Sequence, residues 1–382
     1  MIDETLTMIP GPTPVHPRIL DALARPTVSH VFPAFVETFR KALADFRALA
    51  RSESAQPLIV AGGGTLSMEI ALVNLVAPGE RLLVVSQGYF GDRWGDLAAA
   101  FGIPCDVLRS EWGKAVAPEA LAGKLAAEKY AAVTITHVDT STGTCAPVEA
   151  YVDLLHGRDE LVILDGVCAT GGVDEPFDRW GLDVLLTGAQ KAIGAPPGLA
   201  LDLFSPRAVA KRRARASVPA YYADLLRWLP VMEDPSKYFA TPCVNEIVAF
   251  AEALRIVHEE GLEARFARHS RNARAIRAGL AALGLPLFTD ADALADTLSV
   301  VRYPDGVEDL PFRKQVASRG VVIAGCLGPI AGKAFRLGHM GNIGAGEVVA
   351  VLKAFGESLR ALGGKVDPAA GIAAAAPFLV AG

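Results

Sequence analysis

Three short stretches of this 382-residue chain carry residues that could do chemistry together. In "LLTGAQKAIGAPPGLALDLFS" (185–205) a single lysine, Lys191, stands among small and apolar residues, and Pro196, Pro197 and Gly198 stiffen the chain just beyond it. A lysine after a strand is ordinarily a surface cation, whereas a desolvated amine attacks carbonyl groups. In "LVILDGVCATGG" (161–172) an apolar run ends in Asp165. Its carboxylate either caps the following turn or points into a site, because ligands of doubly wound folds bind at the carboxyl ends of the strands. In "VAGGGTLSMEIAL" (60–72) three glycines and a hydroxyl residue precede an amphipathic helix. Glycines let the backbone approach an anion closely while the helix start offers free N–H groups and a positive dipole end, so phosphate is the natural guest.

These residues must be positioned by a sheet. From about residue 56 short apolar runs alternate with helical periodicity: "PLIV", "TLSMEIALVNLV", "RLLVVS", "GDRWGDLAAAF", "CDVLR", "EALAGKLAAEK", "AAVTITH", "VEAYVDLLH", "LVILD" and then "DVLLTG". This rhythm predicts an α/β fold whose mostly parallel sheet has helices on both faces and delivers Asp165, Gln190 and Lys191 to one edge. Upstream, Phe35, Phe39, Leu43, Phe46 and Leu49 recur at helical spacing and predict a helix packed on the sheet. After residue 243 a long helical stretch to about 283 is followed by strands "LPLFTD", "TLSVVRYP", "VVIAG" and "AFRLGH", which predicts a smaller α+β domain. The expected division is an N-terminal segment 1–17, a large domain 18–259, a small domain 260–364 and an Ala-rich tail 365–382 of low complexity, its end loosely held.

Composition narrows the function classes. With 51% hydrophobic, 21% charged and 7% aromatic residues and a net charge of -5, the chain has the make-up of a soluble globule with no basic field for nucleic acid. The one basic run, "KRRAR" (211–215), predicts a solvated helix face. Cys105, Cys145, Cys168, Cys243 and Cys326 form neither a disulfide frame nor a metal motif, which predicts a reducing cytoplasm. "MIDETLTMIPGPTP" lacks the apolar core of a leader, and "GVVIAGCLGPIAG" (320–332) is too short and too broken by Gly and Pro to span a bilayer.

One molecule requires all three elements. Pyridoxal 5′-phosphate needs an amine for its aldehyde, a carboxylate to keep its ring nitrogen protonated, and a helix start for its phosphate. A dinucleotide would instead need a glycine where Ser67 stands and an acidic residue closing "RLLVVSQG". The motifs "MIPGPTPV", "GGGTLSMEIAL", "HVDTSTG", "LDGVCATGG", "TGAQKAIGAPPGLA" and "FRLGHMG" then follow in the order found in class V aminotransferases of fold type I. From about residue 8 to 360 the chain resembles the alanine/serine–glyoxylate aminotransferase group.

The resemblance implies a seven-stranded, mostly parallel sheet and a set of roles. Lys191 would be the Schiff-base lysine and Asp165 the partner of the ring nitrogen, with Val167 packed under the ring. Gly63, Gly64, Thr65 and Gln190 would hold the phosphate. In "SQGYFGDRW" the aromatic over the ring falls on Phe90, with Tyr89 the alternative. Thr140 would lie near the ring hydroxyl, and Arg336 would grip the substrate carboxylate. "KYFATP" matches a segment whose Tyr238 and Thr241 would reach the neighbouring subunit's phosphate in a homodimer. His137 and His339, at strand ends, read as scaffold residues, and Cys168 beside Val167 does not suit a desulfurase nucleophile on a mobile loop. The substrates implied are a small amino acid and a small 2-oxo acid, with no metal, nucleic acid or membrane partner. "SHVFPAFVE" (29–37) is similar instead to pyridoxamine–pyruvate aminotransferases, which use unphosphorylated pyridoxamine. That activity and a pyridoxal phosphate lyase are the alternatives. A non-enzymatic pyridoxal phosphate-binding protein fits less well, since the Lys, Asp and Arg set is complete.

Overall fold

In the computed structural model, which describes residues 5–379, seven strands form the central sheet. Across the sheet they run Gln56–Ala61, Leu199–Phe204, Val184–Gly188, Leu161–Asp165, Ala132–Thr136, Leu82–Ser86 and Cys105–Arg109. Leu199–Phe204 is antiparallel to both neighbours, and the remaining pairs are parallel. Val184–Gly188, Leu161–Asp165 and Leu199–Phe204 are buried at every position, which requires cover on both faces and explains their largely apolar sequences, Asp202 being the buried exception within a strand. Thr136 lies opposite Asp165, and Asp165 opposite Leu186, so the middle strands finish at a common edge.

Phe35, Phe39, Phe46 and Phe250 join the large core built on this sheet, on helices Pro33–Leu49 and Val244–Glu260. A second core gathers Phe312, Phe335 and Phe355, whose ring centroids are 5.4 to 5.6 Å apart, around a three-stranded antiparallel sheet of Leu298–Arg302, Ala334–Gly338 and Ala324–Gly325. Among the described residues no helix is long and apolar enough to cross a membrane.

The structure departs from the sequence reading in several places. The long helical stretch is two helices, Val244–Glu260 and Leu262–Ala282, separated at Gly261, whose φ of +83° a residue with a side chain rarely adopts. "VVIAG" divides: Val321–Val322 pairs in parallel with Leu6–Thr7 of the N-terminal segment, and only Ala324–Gly325 enters the small sheet. "LPLFTD" is no strand. It runs beside Leu298–Arg302, but Pro286 has no N–H to give and only one bridge forms, between Leu287 and Val301. The Ala-rich tail holds a helix, Ala370–Leu379, seated on Leu262–Ala282 where a Cβ on Gly279 would stand 2.9 Å from the Gly371 carbonyl. Residues 380–382 and 1–4 lie outside the described residues. The basic run is not simply solvated: Arg212 is 2% exposed and pairs with Asp224 at 2.8 Å.

Candidate active site

At the common strand edge lies a cavity of about 150 Å³, and eight of the residues singled out in the sequence line it: Gly64, Thr65, Phe90, Thr140, Asp165, Val167, Gln190 and Lys191. Gly63 itself does not line the cavity but is the N-cap of the helix Gly64–Leu75 whose first residues do; with Arg336, Tyr238 and Thr241 it makes four predicted residues outside the wall.

Lys191 follows the strand Val184–Gly188 and is clamped by the N-terminal segment. Its Nζ donates to the Pro10 carbonyl, and the Thr13 hydroxyl donates to its backbone oxygen at 2.9 Å. Gly11 passes so close that an added Cβ would stand 2.4 Å from Lys191 Cδ and push the lysine aside, and its φ of +109° strains any residue with a side chain. The motif "MIPGPTPV" is thereby the outer wall of the lysine.

Asp165 closes its strand with 3% exposure, and its Oδ1 accepts the Val167 N–H at 3.0 Å. Burial lifts its carboxyl to about 7; the Val167 N–H opposes the rise, and Asp139 and Glu175 add to it. A cation placed in the cavity would draw the proton off and leave the carboxylate.

No side chain caps the helix Gly64–Leu75 at Gly63; the Leu66 N–H turns back to the Gly63 carbonyl at 2.8 Å, while the Gly64 and Thr65 N–H groups have no partner among the described residues. An added Cβ on Gly63 would meet nothing within 4 Å, whereas one on Gly64 would stand 2.7 Å from Val167 Cγ2. The loop is therefore open at Gly63 and packed against Val167 at Gly64. Gln190 Oε1 is buried without a hydrogen-bond partner among the described residues, and a half turn of the amide would present its NH₂ in the same place.

Phe90, not Tyr89, lines the cavity; Tyr89 is 43% exposed. The fully buried Asp139 carboxylate sets this helix start, accepting the N–H of Phe90 at 3.0 Å and of Gly91 at 2.9 Å. The Thr140 hydroxyl lies 2.6 Å from Cys168 Sγ, which shares the wall.

The other three predicted residues outside this wall stand apart from the helix start. Arg336 is half-buried on Ala334–Gly338, its Nε donating to the Gly325 carbonyl at 2.9 Å. Burial lowers its pKa, while Cys326, Cys168 and Asp139 lie near enough to oppose that change. Tyr238 and Thr241 are exposed, their hydroxyls 3.4 Å apart. Neither histidine faces the cavity: His137 Nδ1 is 2.6 Å from Glu175, and His339 Nε2 is 3.0 Å from Ser299. Sequence reasoning passed over Arg93 and Met68 in the wall, although Arg93 follows Phe90 by three residues on one helix and so shares its face.

This donor set fits pyridoxal 5′-phosphate. An amine and a buried carboxyl share one cavity, uncapped helix N–H groups and an orphaned buried amide await an anion, and an aromatic ring and an aliphatic side chain line the space between.

Comparison with known proteins agrees. The family model for aminotransferase class V matches residues 20–327. Alanine–glyoxylate aminotransferase 1 of Saccharomyces cerevisiae is 36% identical, over 87% of this chain and 91% of its own. The ureidoglycine–glyoxylate aminotransferase of Bacillus subtilis superposes with a TM-score of 0.94 at 28% identity, covering 99% of this chain and 98% of that one. The pyridoxamine–pyruvate aminotransferase of Mesorhizobium loti superposes with a TM-score of 0.92 at 31% identity, covering 98% and 97%. With the fold, the cavity and these likenesses in agreement, the chain belongs to the class V aminotransferases, pyridoxal 5′-phosphate enzymes of fold type I.

Proposed function

We propose that this chain is a homodimeric aminotransferase that moves the amino group of a small amino acid, alanine or serine, to a small 2-oxo acid, glyoxylate or pyruvate. The observation that carries the reading is the meeting of Lys191, Asp165 and the open helix start at Gly63–Thr65 around one cavity. The likeness to an alanine–glyoxylate aminotransferase supports the substrate class.

When bound, the cofactor supplies an aldehyde that takes up the substrate amine and a cationic ring that accepts electrons from the substrate carbon. Lys191 Nζ, the amine in the cavity wall, would be the group that holds that aldehyde. The same Nζ would serve as the general acid–base that moves the substrate Cα proton, work worth about 10²–10⁴ in rate. The Asp165 carboxylate keeps the ring nitrogen protonated, and its burial strengthens that ion pair. Phe90 and Val167 would pack against the ring, and Thr140 would offer a hydroxyl to its polar edge. Gly63, Gly64, Thr65 and Gln190 bind the phosphate. Arg336 grips the substrate carboxylate by a two-point contact, fixing which Cα bond stands across the ring.

Tyr238 and Thr241 complete the phosphate site of a second copy, which is why the active unit is a dimer. The large domain 18–259 carries the cofactor and the small domain 260–364 carries Arg336, a division supported by the two largest cores, which a third, smaller cluster containing Cys168, Ala192, Leu298 and Val300 joins. Five free cysteines suit a cytoplasmic location.

A half-reaction screen tests the reading. Holoprotein is mixed with single amino acids and the absorbance change on conversion of the cofactor to its amine form is followed. Alanine or serine should convert it within the dead time of manual mixing, and glyoxylate or pyruvate should reverse the change. Cofactor unchanged by every amino acid, or an amino acid cleaved without transfer, would replace the aminotransferase reading with a binding protein or a lyase.

A further inference from the structure

Arg93 stands half-buried in the cavity wall, on the helix Tyr89–Ala100. Its guanidinium carbon lies 4.7 Å from the Phe90 ring centroid and 5.4 Å from that of Tyr89, and its Nη1 donates to Thr65 Oγ1 at 3.2 Å. It forms no ion pair: the adjacent Asp92 is engaged by Arg109 and by the Ser86 hydroxyl, each at 2.8 Å, among the described residues no carboxylate comes within 4.0 Å of Arg93, and the buried Asp165 carboxyl across the cavity, on which the Arg93 charge acts only at longer range, is itself raised to about 7. Thr65 lies in the first turn of the helix Gly64–Leu75, whose N–H groups are uncapped. A full positive charge and the positive end of a helix dipole thus converge on one corner, and two unbalanced positive features side by side are favourable only with an anion between them.

We propose that Arg93 is the specificity residue that selects the phosphorylated form of vitamin B6 and rejects the unphosphorylated form, so that pyridoxamine is a poor amino donor for this enzyme. The cation–π contact with Phe90 and the hydrogen bond to Thr65 hold the planar guanidinium beside the first turn of the helix Gly64–Leu75, next to the Gly64 and Thr65 N–H groups that have no partner among the described residues. The inference rests on the reading of the Gly63–Thr65 loop as the phosphate end of the cofactor site. It adds to the neutral donors of that loop a charge-matched contact from a separate helix. A rival account makes Arg93 only a brace for the Phe90 ring. That account predicts equal losses for every ligand with the same ring, whereas phosphate selection predicts a loss confined to the phosphorylated one.

The test titrates full-length protein, freed of cofactor, with pyridoxal 5′-phosphate and separately with pyridoxal, reading binding by quenching of tryptophan fluorescence. Arg93→Gln should weaken pyridoxal 5′-phosphate about 10- to 100-fold, the worth of one charge-assisted hydrogen bond, and leave pyridoxal within about twofold of the wild type. Retained pyridoxal binding also shows that the variant is folded. Arg93→Lys, which keeps the charge and loses the planar stack, should recover most of the affinity for the phosphorylated ligand. Equal weakening of both ligands, or no weakening of either, overturns the proposal and leaves the cofactor site standing. Wild-type protein that binds pyridoxal as tightly as its phosphate would overturn the phosphate reading of the loop itself.

Discussion

Asp165 Oδ1 accepts the N–H of Val167 at 3.0 Å, and with that single backbone donor the carboxyl remains a buried acid raised to about 7. In unfolded chain the same group titrates near about 3.9. A raised folded pKa contributes stability that is complete below about pH 4 and is lost as pH rises toward 7. Protein without cofactor should therefore lose about 4 kcal/mol from this group across that window. Asp165→Asn removes the loss, so denaturant midpoints of the cofactor-free variant should overtake wild type between pH 5 and 8. Turnover should fall about 10²–10³-fold, since a neutral amide cannot hold the ring proton electrostatically. Parallel pH–stability curves for the two proteins, or near-normal turnover, would assign the role to another group.

Lys191→Ala should abolish turnover and covalent retention of the cofactor. Borohydride treatment of wild-type holoprotein followed by peptide mapping should label the peptide carrying Lys191. Label on another lysine in that experiment would move the assignment. Gly11→Ala offers a further check: its Cβ would crowd Lys191 at 2.4 Å from Cδ and 2.8 Å from Nζ, at a φ of +109° that strains any residue with a side chain, so the lysine keeps its chemistry but loses its position, and slowed turnover with the cofactor retained is expected.

The strand that ends in Asp165 could be read from the chain because burial on both faces demands an apolar run, and "LVILD" has the observed bounds of its strand, Leu161–Asp165. What escaped depended on contacts between distant segments. Pro10 and Gly11 wall in Lys191 across 180 residues of intervening chain, a relation that no local pattern encodes. The tail looked loose because alanine and glycine lack side chains to signal a core. Those same small residues let Gly371 and Gly279 bring two helices into close contact. Arg93 was legible in principle, three residues after Phe90, but a lone arginine on a helix is ordinarily a solvated one. Its meaning came from Thr65, on another element.

The assignment of Tyr238 and Thr241 to a second copy predicts complementation. A Tyr238→Phe/Thr241→Val double variant should bind cofactor weakly, and Lys191→Ala should be inactive. Subunits of the two, mixed after mild dissociation, form hybrids in which one of the two sites has an intact lysine and an intact partner. Activity should return to about a quarter of wild type under random pairing. No recovery, with hybrids verified by mass, would place both residues at their own subunit's site or at none.

Asp202 tests how the sheet tolerates a charge behind the site. It lies on Leu199–Phe204, the strand paired to the one that leads into Lys191, with no exposed surface and no hydrogen-bond partner for either oxygen among the described residues. Ser67, the nearest hydroxyl, accepts the Leu201 N–H at 3.0 Å instead. Burial raises the Asp202 carboxyl well above its ordinary range, with only a small opposing contribution from Ser67. In the folded chain it is thus a neutral acid, and the unfolded chain gains by ionising it. Stability from this group is complete below about pH 4 and falls by about 1.4 kcal/mol for each further pH unit until the buried carboxyl itself ionises. Asp202→Asn has nearly the same shape and no proton to hold, so it should unfold at higher urea than wild type at pH 8 and at the same urea near pH 4. The residue touches neither the cavity nor Lys191, so turnover should stay within about twofold. If the variant is destabilised at pH 8, the carboxylate is charged in the fold and has a partner, and the strand beside the lysine is held by an ion pair rather than by packing alone.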